Sequence, residues 1–316
     1  MARDWRPRAS LDCLRTRAAM LARVRQYFAE TGALEVETPI LSRTATPDPQ
    51  LDSFVTEDGG ALYLHTSPEF FMKRLLAAGS GSIYQIAKVF RRGEQGRRHA
   101  REFSMLEWYR VDMTYRELMD DVAQVIACAL GPLRTLSASE HLSYAEAFKR
   151  YCGVDGVSED VAAFRAAAAR LGIAFDAHEA DVDVWRDLLL THAIEPHLGQ
   201  GRLSFIFDYP ARQAALARLR PGTPPVAERF EVYLDGIELA NGFAELRDAN
   251  EQRTRFEGQL AQRRARGLAP VPLDEEFLRA VTALPACSGV ALGLDRLLLC
   301  GLGLEDIAAT QAFEVS

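Results

Sequence analysis

Apolar residues recur at helical spacing through Leu11, Leu14, Leu21, Val24 and Phe28, behind Ser10 and ahead of Gly32. That period, with a hydroxyl to cap the start and a glycine to stop it, predicts a long amphipathic helix. The pattern then changes to alternation. In ALEVETP (33–39), Leu34, Val36 and Thr38 alternate with Glu35 and Glu37 until Pro39 ends the run, which predicts a strand. Residues 42–60, rich in Pro, Thr, Asp and Gly, predict a loop. LYLHT (62–66) predicts a short strand, and Ser67-Pro68-Glu69 opens a helix that Gly79 closes. SIYQIAKVF (82–90) and FSMLEWYRV (103–111) predict two more strands, and Thr114 to Glu117 form a capping box before a helix carrying Leu118, Val122, Val125 and Ile126. The stretch from about 134 to 200 predicts Ala-rich helix. LSFIFDYP (203–210) returns to strand, ERFEVYL-DG-IELANGFAEL (228–246) predicts a hairpin turning at Asp235-Gly236, Asp248 starts another helix, and CSGVALGLDRLLLCGLG passes from strand through Gly293 into helix. Hairpin-joined strands with helices outside them predict an α+β fold, an antiparallel sheet flanked by helices. No repeat or linker divides the chain, so one domain over 1–316 is expected.

Composition narrows the function more than the fold. At 316 residues and 48% hydrophobic content the chain can bury a large core. The five cysteines are scattered without a CxxC pair, which predicts free thiols in a reducing compartment. No run of 18 apolar residues occurs, and the start MARDWRPRAS has no apolar signal core, so a cytoplasmic, membrane-free protein is expected. A net charge of −7 weighs against a general nucleic-acid binder.

Against that acidic balance, VFRRGEQGRRHAREFSMLEWYR (89–110) gathers six arginines and three glutamates. A solvated loop is the plain alternative; a loop holding a polyphosphate over a sheet is the sharper one. In the strand that follows, Phe103, Met105, Glu107, Tyr109 and Val111 share a face, and a lone carboxylate among apolar neighbours has to meet water or a cation. Arg91, Arg92, Arg97, Arg98 and His99 lie close enough in sequence to converge on an anion, and arginine forks suit phosphate. The hairpin adds Glu238, Asn241, Phe243 and Glu245. Glu238 and Glu245 have opposite parity in a strict strand, but a bulge at Gly242 would bring them to one face, where two carboxylates suit magnesium bridging to phosphates. There is no GxxxxGK[ST] and no GxGxxG between strand and helix, so ATP would be bound by arginines and a sheet.

In their order along the chain these pieces resemble the catalytic core of class II aminoacyl-tRNA synthetases. Residues of about 10–39 look like motif 1, the family's dimer element, about 86–111 like motif 2, and about 287–302, with GVALGLDRL, like motif 3, with a helical insertion at about 134–200. The finer match is to the lysyl branch, through TSPEFFMKRL, RRHAREFSMLEWY and GIELANGFAEL, and the similarity runs from about residue 10 to 305. Motif 1 begins within a dozen residues of Met1, so no anticodon-binding OB domain and no anticodon recognition of tRNA are expected. The chain therefore resembles the stand-alone paralogues of lysyl-tRNA synthetase that use ATP to join β-lysine to a lysine side chain of elongation factor P.

That resemblance implies a set of roles. Arg91 would grip the α-phosphate and Arg296 the terminal phosphates, as the two catalytic residues. Phe103 would stack on adenine, with Arg92, Gly93, His99, Ala100, Glu238, Leu239 and Gly293 completing the ATP site. Glu238 and Glu245 would hold Mg2+. Ser67, Pro68 and Glu69 would receive the amino group near the carboxylate. Glu245 would also face the substrate, Glu107, Tyr109, Asn241 and Phe243 would line the pocket for the far ammonium, and a homodimer through motif 1 is implied. The sequence departs from the family at Gly93, where motif 2 has glutamate, at Ala100-Arg101, where Asn-Pro is usual, and at Ala291, where lysyl-tRNA synthetases have glycine. A methyl at Ala291 suits a substrate whose amino group sits on the β-carbon. Two rival readings are a non-catalytic synthetase-like protein-binding regulator, which would usually lose the phosphate arginines, and an ammonia-dependent asparagine synthetase, which would need a cation where Glu107 and Glu245 stand.

Overall fold

The computed structural model describes residues 5–176 and 178–314. Helix α1 (Leu11–Glu30) starts as its sequence indicates, with the Ser10 hydroxyl accepting from the Cys13 N–H at 3.1 Å, and it buries Met20, Val24 and Phe28. The alternating run after it yields only a two-residue strand, β1 (Leu34–Glu35). The expected loop holds β2 (Leu41–Ser42) at its edge and β3 (Val55–Glu57) within it; β4 (Ala61–Leu64) pairs with both. Helix α2 (Glu69–Ala77) begins one residue later than expected: Pro68 takes the capping position, while the Ser67 hydroxyl still accepts from the Glu69 N–H at 3.0 Å.

Strands β5 (Ile83–Phe90) and β6 (Glu102–Val111) flank the arginine loop. Helix α3 (Tyr115–Leu130) carries the reciprocal Thr114–Glu117 cap. The stretch expected to be helical opens instead with strand β7 (Ser137–Ser143), followed by α4 (Tyr144–Cys152), α5 (Val161–Arg170) and α6 (Val182–Leu189). A ladder partner far along the chain, rather than local propensity, decides that strand. Strands β8 (Arg202–Pro210), β9 (Leu219–Arg220), β10 (Val226–Leu234) and β11 (Ile237–Ala244) precede α7 (Ala249–Ala265), α8 (Glu275–Val281), β12 (Cys287–Gly293) and α9 (Leu294–Leu302).

The described residues form two compact units, one drawn from 1–113, 124–135 and 247–316, the other from 114–123 and 136–246. In the first, the strand order is β1-β5-β6-β12, and β6 is buried along most of its length. One of its faces packs Trp108 on Phe28 of α1, with ring centroids 5.6 Å apart; the other carries Phe103, Met105, Glu107 and Tyr109. In the second unit the order is β11-β10-β8-β7, with β9 on β10, over a core of Tyr144, Phe148, Phe164, Trp185, Leu189 and Ile206. The sheets are not purely antiparallel. β1 pairs β5, and β7 pairs β8, in parallel. Both pairs are joined through intervening helices, the connection that parallel strands require. The five cysteines are free. No helix among the described residues is long and apolar enough to cross a membrane.

Candidate functional site

The register of β6 places Glu107 directly between Gln85 of β5 and Ala291 of β12. Glu107 is only 2% exposed. Its carboxylate accepts from the Ser67 hydroxyl at 2.7 Å and from the Tyr109 hydroxyl at 2.6 Å. Ser67 thus serves twice, since its oxygen also receives the first N–H of α2. One turn into that helix Glu69 meets Lys73 at 2.7 Å, and Lys73 is as buried as Glu107. Burial, then the charge of Glu69, push the Glu107 carboxyl up to about 8, against the hydrogen bonds from Tyr109 and Ser67 and the nearby Lys73 ammonium. With Glu107 protonated the group is balanced by the Glu69–Lys73 pair; with Glu107 ionised, two carboxylates and one ammonium would leave it one positive charge short, which a cation would offset. Lys73 is the member that sequence reasoning missed; its only signal was the i,i+4 spacing from Glu69.

The arginine loop is a folded-back turn. Arg91 N–H donates to the Arg101 carbonyl at 2.9 Å, and Gly96 and His99 exchange backbone bonds at the far end. Gly93 has φ +85°, a left-handed conformation that disfavours a side chain, so the departure from glutamate there follows from the turn. Glu94, one place later, reaches Arg91 at 3.4 Å. The Arg91 guanidinium lies over the Phe103 ring, 5.1 Å from its centroid. Arg296, in the first turn of α9, contacts His99 Nε2 at 2.7 Å and donates to the Arg98 carbonyl at 3.2 Å. A guanidinium can only donate, so His99 accepts and is neutral; burial and the nearby Arg296 hold its pKa below the usual range. The expected convergence of the loop's arginines does not hold for all of them. Arg92 turns to Asp52 and Arg97 pairs with Glu305 at 2.8 Å, because successive residues of the turn point apart. The charges that act on the neutral His99 are therefore those of Arg296, Arg91 and Arg98, with Glu94 opposing them. Gly293 ends β12 at the mouth of α9, where an added methyl would sit 3.7 Å from the Arg296 side chain.

A buried clamp fixes these pieces to one another. Asp295, 1% exposed, receives Arg17 of α1 at 2.6 Å on one oxygen and the Ser104 N–H at 2.6 Å on the other, while Arg17 also donates to the Ser104 hydroxyl at 2.7 Å. Asp295 immediately precedes Arg296, and Ser104 immediately follows Phe103. Replacing Arg17 with methionine strands a buried carboxylate, and is expected to lower the unfolding free energy by about 3 kcal/mol in denaturant titration.

In the second unit, Asp235 and Gly236 both adopt left-handed φ, 52° and 69°, and close the hairpin tightly. The expected bulge exists but lies at Leu239: Ala240 pairs with Val232, then Glu238 with Tyr233, whereas Gly242 pairs regularly with Phe230. The bulge brings Glu238, Asn241, Phe243 and Glu245 to one face. Along that face, however, Glu238 and Glu245 are six ladder steps apart, roughly 20 Å. They cannot share one ion. The ladder sets Glu231 diagonally beside Glu238, about 7 Å away on the same face, because Glu231 pairs with Asn241. Glu231 is 7% exposed and receives Arg229 and the Tyr233 hydroxyl, each at 2.5 Å. Glu245 is 3% exposed and Leu239 2%. Among the described residues no group of three or more His, Cys, Asp or Glu side chains could hold a metal on its own.

The family model of class II tRNA synthetases (D, K and N) matches residues 2–315. This chain belongs to that family. Among curated proteins it is similar to the elongation factor P–(R)-β-lysine ligase of Vibrio vulnificus, 46% identical over 99% of this chain and 98% of the other. It is likewise similar to the ligases of that name from Vibrio cholerae, 46% identical over 98% and 97%, and Proteus mirabilis, 47% identical over 99% and 98%. In this family member, Ser67, Pro68, Glu69, Glu107, Tyr109 and Ala291 meet around one stretch of β6, and Arg91, Gly93, His99, Phe103, Gly293 and Arg296 belong to the neighbouring loop and helix start. Ala100 is half-buried in that loop. Glu231, which the structure sets beside Glu238, escaped the sequence reading because its place depends on cross-strand register.

Proposed function

We propose that the chain activates an amino acid with ATP as an aminoacyl-adenylate, and passes the acyl group to a lysine side chain of a protein. The amino acid is (R)-β-lysine and the acceptor elongation factor P. The observation that carries the reading is the buried Glu107, ready for a cation, with the Ala291 methyl beside it, in a chain so similar to ligases of that name. A substrate carboxylate oxygen attacks the α-phosphorus and pyrophosphate leaves; the acceptor amine nitrogen then attacks the acyl carbonyl, AMP leaves and the nitrogen gives up a proton. Arg91 binds the phosphate at which charge develops, and Arg296 with His99 the leaving phosphates. Phe103 presents a ring to adenine. Glu69 takes the ammonium near the carboxylate; Glu107 and Tyr109 take the distant one. Positioning and charge stabilisation suffice, with no covalent enzyme intermediate.

Oxygen ligands suit magnesium, which takes one or two carboxylates together with phosphate oxygens. Glu238 with Glu231 would hold it, and when bound it neutralises phosphate charge; Glu245 is left to the substrate. A dimer through the motif 1 region is supported by the apolar side chains of Leu11 and Leu34 left exposed there, with Ile40 and Leu41 exposed just after it. A cytoplasmic location fits the free thiols.

The test is ATP–pyrophosphate exchange by the purified protein with (R)-β-lysine, L-lysine, aspartate or no amino acid. Exchange strongest with β-lysine supports the reading, and transfer to elongation factor P becomes the next assay. Exchange with aspartate alone overturns the pocket assignment. Ala291→Gly removes the methyl beside Glu107, and is expected to shift the ratio of kcat/KM values toward L-lysine by about tenfold, the discrimination one methyl group commands.

A further inference from the structure

The stretch after α9 belongs to the same compact unit as the arginine loop, and no role above uses it. Asp306 caps a 3-10 turn (Ile307–Thr310), its carboxylate accepting from the Ala308 N–H at 2.9 Å. Ile307, Ala308 and Thr310 are buried. One side of the stretch is anchored to the start of α1. The Arg8 N–H donates to the Ala312 carbonyl at 2.8 Å, the Ala9 N–H to that of Gln311 at 3.1 Å, and the Cys13 thiol to that of Ala309 at 3.4 Å. The other side meets the loop. The Gln311 side-chain amide donates to the Glu102 carbonyl at 3.0 Å, where the loop ends, and the Ile307 N–H donates to the Arg97 carbonyl at 2.9 Å, at the loop's tip. The first N–H groups of a helical turn have no partner inside it, so this one is available to the loop. The next carbonyl along, that of Arg98, and the His99 ring both take donors from the Arg296 guanidinium.

We propose that Ile307 is a positioning residue for the terminal phosphates of ATP: its N–H fixes the loop tip at Arg97, so that Arg98 and His99 hold the Arg296 guanidinium in one orientation. The proposal rests on the reading that Arg296 and His99 take those phosphates, and it adds the part of the chain that sets them in place. The loop's base is closed separately, by the Arg91 N–H on the Arg101 carbonyl. Residues 96–99 at the tip are exposed, so burial does not hold them. The Arg97–Glu305 ion pair lies beside them, but its side chains are 73% and 84% exposed and water screens it. The backbone bond to a buried turn is a firmer link. Unlike the bonds from Arg296, it does not involve the group that has to meet the phosphates. A tip that wanders lowers the fraction of protein ready for them, and affinity falls by that fraction.

The test is equilibrium binding of ATP and of AMP to Ile307→Pro, Ile307→Ala and Glu305→Ala, with amide hydrogen exchange followed at Gly96 and His99. Proline removes the N–H at a position that accepts it, because Asp306 is extended (φ −129°, ψ 125°) and residue 307 opens the turn. Alanine loses more of the buried side chain than proline does, and keeps the N–H. Ile307→Pro is expected to raise the Kd for ATP about threefold to tenfold, the value of one net hydrogen bond. The Kd for AMP, which is left to Arg91 and Phe103 and has no terminal phosphates, should not change. Exchange at Gly96 and His99 should quicken. Ile307→Ala and Glu305→Ala should match wild type in all of these readings. Equal weakening of ATP and AMP by proline would mean a general disturbance of the site, and overturns the proposal. So does an unchanged ATP affinity with proline, or one that either alanine variant lowers as much. Should the proline variant fail to fold, an ester in place of the amide at residue 307 removes the same N–H and keeps isoleucine; a synthetic peptide of residues 300–316 joined at Cys300 can carry it. The same loss of affinity for ATP alone is expected, and its absence overturns the role. Wild-type protein that binds ATP no more tightly than AMP defeats the reading of Arg296 itself, and the role of Ile307 with it, before any variant is compared.

Discussion

Arg91→Ala is expected to slow ATP–pyrophosphate exchange at least about a hundredfold, through kcat more than through the KM for ATP, as removal of a charge-stabilising donor does elsewhere. Arg91 is placed for this by three independent restraints. Its backbone is tied to Arg101, its guanidinium rests on Phe103, and Glu94 holds one end at 3.4 Å. A weak, long ion pair to a partly exposed glutamate is easily exchanged for a phosphate, which carries more charge and matches the guanidinium fork. Arg91→Lys keeps the charge but not the fork, and should recover only part of the loss. Folding should be little changed, because the side chain is 23% exposed and its contacts with the interior are the Phe103 ring and a long hydrogen bond to the Thr66 carbonyl, 3.4 Å. Equal activity in wild type and Arg91→Ala, with ATP bound, would remove Arg91 from the reaction and favour a protein-binding role for the chain.

Glu107→Gln is expected to make the protein more stable at pH 8 and to raise the KM for the amino acid on the order of a hundredfold. The carboxyl titrates near 8 in the folded chain, against an ordinary value of 4.5. Between those values the native state keeps a proton that the unfolded chain has released, so stability falls as pH rises through that window and levels above it. Glutamine removes this slope, and the gain at pH 8 is at most a few kcal/mol. Substrate affinity has the opposite dependence. A dicationic substrate pairs with ionised Glu107, so the wild-type KM should fall as pH rises toward about 8, while that of the glutamine variant stays flat. Denaturant titrations at pH 5, 7 and 9, with exchange kinetics at matching pH, check both arms. Wild-type stability that climbs across this window would show Glu107 to be ionised and internally paired, leaving no vacancy for a cation. The two arms together describe a site kept less stable than it could be for the sake of its ligand.

Much of the structure follows from local chemistry. The Ser10 cap, the Thr114–Glu117 box and the Asp235-Gly236 turn each depend on a few adjacent residues, and each forms where the side chains indicate. The alternation in FSMLEWYRV likewise decides which side chains share the face that holds Glu107. The resemblance to class II synthetases rests on such stretches in their order, which is why the family and the main candidate residues were legible. Local pattern could not place β7, because a strand beginning Ser-Ala-Ser exists by virtue of its parallel ladder with β8.

Register and direction are where tertiary structure takes over. The bulge sits at Leu239 and not at Gly242, since the facing strand and not glycine's freedom fixes where one residue is left over. That placement puts Glu231, not Glu245, beside Glu238. Sequence proximity gathered five cationic candidates in the loop, yet the turn sends Arg92 to Asp52 and Arg97 to Glu305. Lys73 and Arg229 gain their meaning only from partners that folding supplies. The sequence alone determined the family, the caps and turns, and the identity of most side chains that carry charge. The tertiary structure alone decided which charges meet, because pairing energies depend on a few ångströms that no local pattern encodes.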